Sequence, residues 1–479
     1  SNNSSSADKY AGEVLSEYLY KMTNVRLSIV EEIQQLTTTE KYISIGKTNL
    51  FKNLKIDFSN IDFHIDGFIQ KTVDNTLFLV GGQSDRGTFY AIFDYLEQCL
   101  GARFFAVDCE KIPKYQTICL PNLDKIDIPA FSIRAVVSNI YADPDYQLKS
   151  RQFGFDLNFD KKYGEMYKDN VWGLHHNIAE TIVPSSKYLQ THPEWFYKIA
   201  PDSNLYNFIP VFGVKEDGRY DDTMNENPID IAVESLKKAF LESNAYYLNC
   251  SYADCDVVKK VNSDYAKRVK KYTPAGILIM FLNLICERLD KWIEIAVDEK
   301  GNKLFPNGRP YSLLVLAYGP TRHAPISKTG EVLVKPNKNI TFWLANIQAN
   351  TLLPINHPKQ YPDSRNMFEP WCKITDNLAI WDYYGSFYTH DLYYTPVFIT
   401  MKENYQYYIK LGLTKFLFTQ FNNYEHANRG AICDLKAYVS SKLMWNPDKY
   451  DVNELINEFC SYYYGEFCAD IVKIINLLN

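Results

Sequence analysis

From about residue 130 onward the chain repeats one pattern: a short apolar run, a polar loop and, in several cases, a helical stretch. The runs are FSIRAVVSN (131–139), NVWGLHH (170–176), FIPVFGV (208–214), AYYLNCSY (245–252), YSLLVLAYG (311–319), ITFWLANI (340–347), NLAIWDYYG (377–385) and KFLFTQF (415–421). They are apolar nearly throughout rather than at alternate positions. That fits parallel strands buried on both faces under a layer of helices. Eight of them favour an α/β fold of the (β/α)8 TIM-barrel type over an open doubly wound sheet.

Helix signals fall between the runs. NPIDIAVESLKKAFLES opens with Asn227 as cap and Pro228 in the first turn. TPAGILIMFLNLICERL opens in the same way at Thr273 and Pro274. TPVFITMKENYQYYIKLG opens at Thr395 and Pro396 and stops at Gly412. GILIMFLNLICERLDKWIEIAV (276–297) is the longest apolar stretch, but Glu287, Arg288, Asp290 and Lys291 interrupt it. It reads as a buried amphipathic helix, and no transmembrane segment is expected.

The first 120 or so residues read differently. A helix (7–22), a strand ending on Gly46, the strands IDFHIDGFIQKTV and NTLFLVGG, and a helix from Asp85 to Gly101 form a small α/β layer. LPNLDKIDIPAF reads as a Pro-marked linker. ICDLKAYVSSKLMW, VNELINEFCSYYYG and EFCADIVKIINLL read as helices, one closing the barrel and two appended. The expected division is 1–124 for the small domain, 125–445 for the barrel and 446–479 for the terminal helices.

Chemistry in a barrel gathers where strands end and βα loops begin. The strand ends hold Trp172, His175 and His176, then Asn249 and Asp254, Tyr318, Trp343, and Trp381, Asp382, Tyr383 and Tyr384. The last strand adds Gln420, Asn422 and Glu425. The set is rich in amides and aromatic faces and poor in cations, which suits a neutral, hydroxyl-rich ligand. Aromatics are 15% of the chain, with 37 Tyr. The net charge of −6 comes with no basic stripe, so no nucleic-acid partner is expected.

Each residue also has a plainer role open to it. Trp172 can be core. Asp382 can hold a loop, Asp254 can cap a helix, and Glu194 in HPEWF can cap a turn. Adjacent His175 and His176 on a strand would point to opposite faces, which argues against both binding one metal. A metal centre would need three of His175, His176, His192, His323, His390, Asp254 and Glu425 to converge. Spacing gives that little support, and no cofactor is expected. The cysteines are scattered without CxxC and read as isolated thiols.

The segment RGTFYAIFDYLEQCLGARFFA resembles the end of the small α/β domain that precedes the barrel in family 67 α-glucuronidases and family 20 hexosaminidases. The ordered series WGLHHN, HPEWF, NPIDIAVESL, LNCSYADC, LAYGP, IWDYYGSF, LGLTKFLFTQ, DLKAYVSSKLMWNP and FCSYYYG resembles glycoside hydrolase family 163 over nearly the whole chain. That resemblance implies an exported, periplasmic or cell-surface glycosidase, an endo-acting β-N-acetylglucosaminidase on complex N-glycans. For N-acetyl sugars the substrate's acetamido group can be the nucleophile, so the protein supplies an acid and an orienting carboxylate. Glu425 is the expected acid and Asp254 or Asp382 the orienting carboxylate. A non-catalytic glycan-binding protein and an α-glucuronidase-like hydrolase stay open beside it.

Overall fold

The structure, a computed structural model, describes residues 5–30, 40–154, 160–164, 170–254, 262–385, 395–421 and 432–478, with backbone only at residue 139. The first part of the chain forms a four-stranded sheet in the order Tyr42–Ile45, Thr76–Gly81, Phe68–Val73, Asp124–Asp127. The first pair is parallel and the others antiparallel. The fourth strand comes from the segment read as a linker. Helices Ser6–Thr23 and Arg86–Gln98 cover this sheet and share its core. Asp85 precedes the second helix but makes no capping bond from its side chain. Ser5 does cap the first helix, accepting from Asp8 N at 3.0 Å.

The rest is built on one eight-stranded parallel sheet that curls into a half-barrel. In chain order its strands are Ile133–Val137, Phe153–Gly154, Val171–Trp172, Tyr247–Asn249, Ser312–Ala317, Ile340–Ala345, Leu378–Tyr383 and Phe416–Gln420. The eighth strand pairs with the first, and the first with the second. Among the described residues the second and third do not pair, so the sheet stays open there.

The number of strands matches the sequence reading, but one member differs. The 208–214 run lies outside the half-barrel. Tyr206–Phe208 pairs antiparallel with Phe196–Lys198 in a separate two-stranded ribbon. Pro210, two residues beyond Phe208, cannot donate to a ladder. The strand that takes its place, Phe153–Gly154, has two residues, too few to show any periodicity.

Side chains alternate along the strands and make two cores. Inside the curl lie Val137, Phe153, Leu316, Trp343, Ala379, Trp381 and Phe418. Outside, against the helices, lie Val136, Leu248, Phe342, Leu344, Ile380 and Leu417. Helix Pro228–Glu242 starts as expected, with Asn227 Oδ1 accepting from Ile229 N at 2.8 Å. Ser263–Ile295 breaks at Thr273 (φ +64), next to Pro274, where a new helix was expected to open. It is the one described helix long and apolar enough to cross a membrane, and most of its apolar stretch is buried inside the protein. Phe398–Lys410 stops before Gly412 at φ +76. Cys433–Trp445, Val452–Tyr463 and Cys468–Leu478 follow at the end.

Buried charge joins the two parts. Arg134 on the first barrel strand pairs with Asp66 at 2.6 Å, and Arg86 donates to the Gln152 carbonyl at 3.0 Å. Glu97 pairs with Arg151 at 2.8 Å and with Lys442. Burial would raise the Glu97 carboxyl, but those two cations hold it below its ordinary range. Trp445 packs into the first core and donates to Asp127 at 2.7 Å.

Candidate active site at the strand-end rim

Because all eight strands are parallel, their C-terminal ends share one rim. Gly173, in the left-handed region at φ +77, ends the third strand after Trp172. His175 and His176 therefore lie beyond the strand rather than on it. Their expected placement on opposite faces does not hold: His176 is also left-handed (φ +66), and the two rings meet edge to face at 4.9 Å. His175 in turn meets the Trp381 ring at 5.0 Å. Burial, with His176 beside it, holds His175 down at about 4. His176 bonds through Nδ1 to the Tyr252 carbonyl and faces Tyr318 at 6.1 Å. Burial lowers its pKa, opposed by that carbonyl and by the Asp254 and Glu180 charges.

Asp254 is exposed, five residues after the end of the fourth strand. Its charge acts on His176 and also on Tyr383, whose phenol burial pushes well above its usual range. Trp381 and Tyr383 stack at 6.2 Å on the inner side of the seventh strand. Gln420 Oε1 accepts from Trp381 Nε1 at 3.2 Å and fixes that ring. His175, His176, Tyr318, Trp381, Tyr383 and Asp254 thus form one aromatic and carboxylate patch.

Other expected site residues serve the scaffold. Trp343 is fully buried at the centre of the inner core, its Nε1 donating to the Ile380 carbonyl at 2.9 Å, so it cannot face a ligand. Trp172 packs against the outer core. Asn249 donates to the Gly173 carbonyl at 3.0 Å, and its own carbonyl accepts from Asn177 at 2.8 Å, which ties the third and fourth strand ends together. Tyr384 is buried in the outer core.

Asp382 sits between inward-facing Trp381 and Tyr383 and so turns to the helix side. Its Oδ1 accepts from Tyr383 N at 3.0 Å. Its Oδ2 accepts from the Tyr384 and Tyr408 hydroxyls, each at 3.2 Å. Burial pushes its pKa up to about 6 against those three donors. Glu425, Asn422 and His390 lie outside the described residues.

The HPEWF cluster belongs elsewhere. His192 stacks on buried Trp195 at 3.9 Å and bonds Glu194 and Glu226, which makes a local turn support. Among the described residues no three His, Cys, Asp or Glu side chains are grouped to hold a metal ion, and no disulfide forms.

One residue the sequence reading passed over is Arg322. It follows the fifth strand in YGPTRH, and its charge acts on Tyr383. It donates to Gln348 at 2.6 Å and makes no ion pair among the described residues. A lone cation in the loop directly after a barrel strand was the available signal.

Residues 104–476 match the family described as "Domain of unknown function (DUF4838)". The chain belongs to this family. No curated protein matches the DUF4838 chain. Among solved structures, a family GH115 4-O-methyl-α-glucuronidase with specificity for decorated arabinogalactans matches with TM-score 0.53 at 12% identity. The match covers 99% of this chain and 60% of that one, so the DUF4838 chain spans about three fifths of that enzyme. A family 89 glycoside hydrolase from Clostridium perfringens matches at TM-score 0.49 and 8% identity, over 98% of this chain and 52% of that chain. At such identity the first likeness establishes a shared fold.

Proposed function

We propose that this DUF4838 protein is a glycoside hydrolase whose active centre is the strand-end rim. The observation that carries the reading is Asp254, an exposed carboxylate whose charge reaches both His176 and Tyr383 beside the Trp381–His175 contact. Aromatic faces next to a carboxylate are what a sugar ring and its hydroxyls need. The fold shared with a solved α-glucuronidase supports the reading.

The finer proposal is family 163-like cleavage within complex N-glycans by an exported enzyme. The acetamido carbonyl oxygen attacks the anomeric carbon as the glycosidic bond breaks. Glu425 gives its proton to the leaving oxygen, and Asp254 accepts from the acetamido N–H and orients it. Water then opens the cyclic intermediate with retention. Neutral His175 and His176 add no charge to repel the developing cation.

Arg322 favours a second reading. A solvent-accessible guanidinium on a half-buried arginine, without a carboxylate partner among the described residues, suits an acidic sugar, as in an α-glucuronidase-like hydrolase. A product screen separates the readings. Complex N-glycans and glucuronosyl-substituted plant polysaccharides are incubated with the protein, and released fragments are identified by mass spectrometry. Chitobiose-cleaved N-glycans support the first and free uronic acid the second. No product from any glycan overturns both.

A further inference from the structure

A cavity of about 160 Å³ lies behind the rim, between the ends of the sixth and seventh barrel strands and the Phe398–Lys410 helix. Asn346, Asn350, Asp382, Tyr384, Thr400 and Asn404 are among the residues that line it. The volume is about five times the ~30 Å³ share of one liquid water. Two polar groups there are incompletely used. Asn346 is 4% exposed, and its amide nitrogen has no hydrogen-bond partner among the described residues. Asp382 Oδ2 already accepts two hydroxyls, but among the described residues Oδ1 accepts only the Tyr383 N–H, which leaves it one acceptor position. A buried donor without a partner is costly, so an occupant that accepts from it is favoured.

We propose that this cavity binds a small neutral vicinal diol, one hydroxyl accepting from the Asn346 amide and its neighbour donating to Asp382 Oδ1. The lining offers an unpaired donor, Asn346 Nδ2, and an acceptor, Asp382 Oδ1, and a diol supplies the complement of both. Tyr384 and Val397 give the carbon skeleton apolar contact. A carboxylate or phosphate is disfavoured, because Asp382 would repel it. The cavity shares Tyr383 with the rim patch, but its acceptor, Asp382, faces the helices, whereas Trp381 beside it faces the inner core. The inference therefore does not rest on glycan cleavage.

Saturation-transfer NMR on the full chain tests it, with glycerol and methyl β-glucopyranoside as probes. Saturation should pass to glycerol, to the glucoside or to both in the wild-type protein. Transfer to glycerol alone marks a free polyol as the occupant, and transfer to the glucoside marks a diol on a sugar ring. Asn346→Leu should cut the signal at least fivefold. Ala349→Leu should do the same by filling the cavity without removing a side-chain hydrogen bond, which keeps the test sound if the first variant folds poorly. Asp254→Asn should keep the signal whatever it does to hydrolysis. No transfer to either probe in wild type, or undiminished transfer in Ala349→Leu, overturns the proposal.

Discussion

Arg134 and Asp66 meet at 2.6 Å with both side chains wholly withdrawn from solvent, one on the first barrel strand and the other in the N-terminal layer. The guanidinium also donates to the carbonyls of Phe131, Ser132 and Arg151 and lies over the Trp445 ring at 5.1 Å. Removing one partner of such a pair strands the other charge in the interior. Asp66→Ala should therefore cost about 3–5 kcal/mol. Asp66→Leu with Arg134→Met should recover much of that loss, since two apolar residues leave no lone charge. Urea unfolding of both variants reads this. A single variant as stable as wild type would show that the pair does not join the layers.

Asp382 gives a pH signature. Its folded pKa of about 6 stands above the ordinary 3.8 because burial disfavours the charged form. The folded protein thus binds the proton more tightly than the unfolded chain does. The sign follows: stability falls as pH rises from about 4 to about 6, and the penalty stays in full above that. Asp382→Asn should lose this dependence. Its stability relative to wild type should rise by about 3 kcal/mol between pH 4 and pH 7.5, at 1.36 kcal/mol per unit. Melting curves of both proteins across that range check it, and parallel curves would contradict it.

His175 should stay neutral through the physiological range, since burial and His176 hold its pKa at about 4. Protonation favours the unfolded chain, so this residue removes stability as pH falls from about 6.5 toward 4. Its ring protons in an NMR titration should not move between pH 5.5 and 8. A midpoint near 6.5 would mean that the Trp381 contact does not bury the ring in solution.

How far the sequence could be read differs from element to element. The long strands Ser312–Ala317, Ile340–Ala345, Leu378–Tyr383 and Phe416–Gln420 were legible, because burial on both faces keeps each run mostly apolar, with few polar residues to break it. Phe153–Gly154 was not, since two residues carry no period. Pro210 was the overlooked sign that the 208–214 run could not be a central strand. At the site, residue types were legible and directions were not. Trp343 and Trp381 stand on neighbouring strands and look alike in sequence. Yet one is sealed in the inner core while the other reaches His175. The helix-side facing of Asp382 follows from strand alternation once Trp381 is known to point inward. The left-handed backbone at Gly173 and His176, which brings two histidines together, had only the glycine to announce it.

The rim account stands or falls on Asp254. On whichever glycan the product screen identifies, kcat/KM is measured for wild type and for Asp254→Asn, with melting temperatures compared. Loss of the carboxylate should lower kcat/KM by about 10²–10³, with melting unchanged because the side chain is exposed. Full activity in Asp254→Asn would contradict the claim that glycan chemistry happens at this rim.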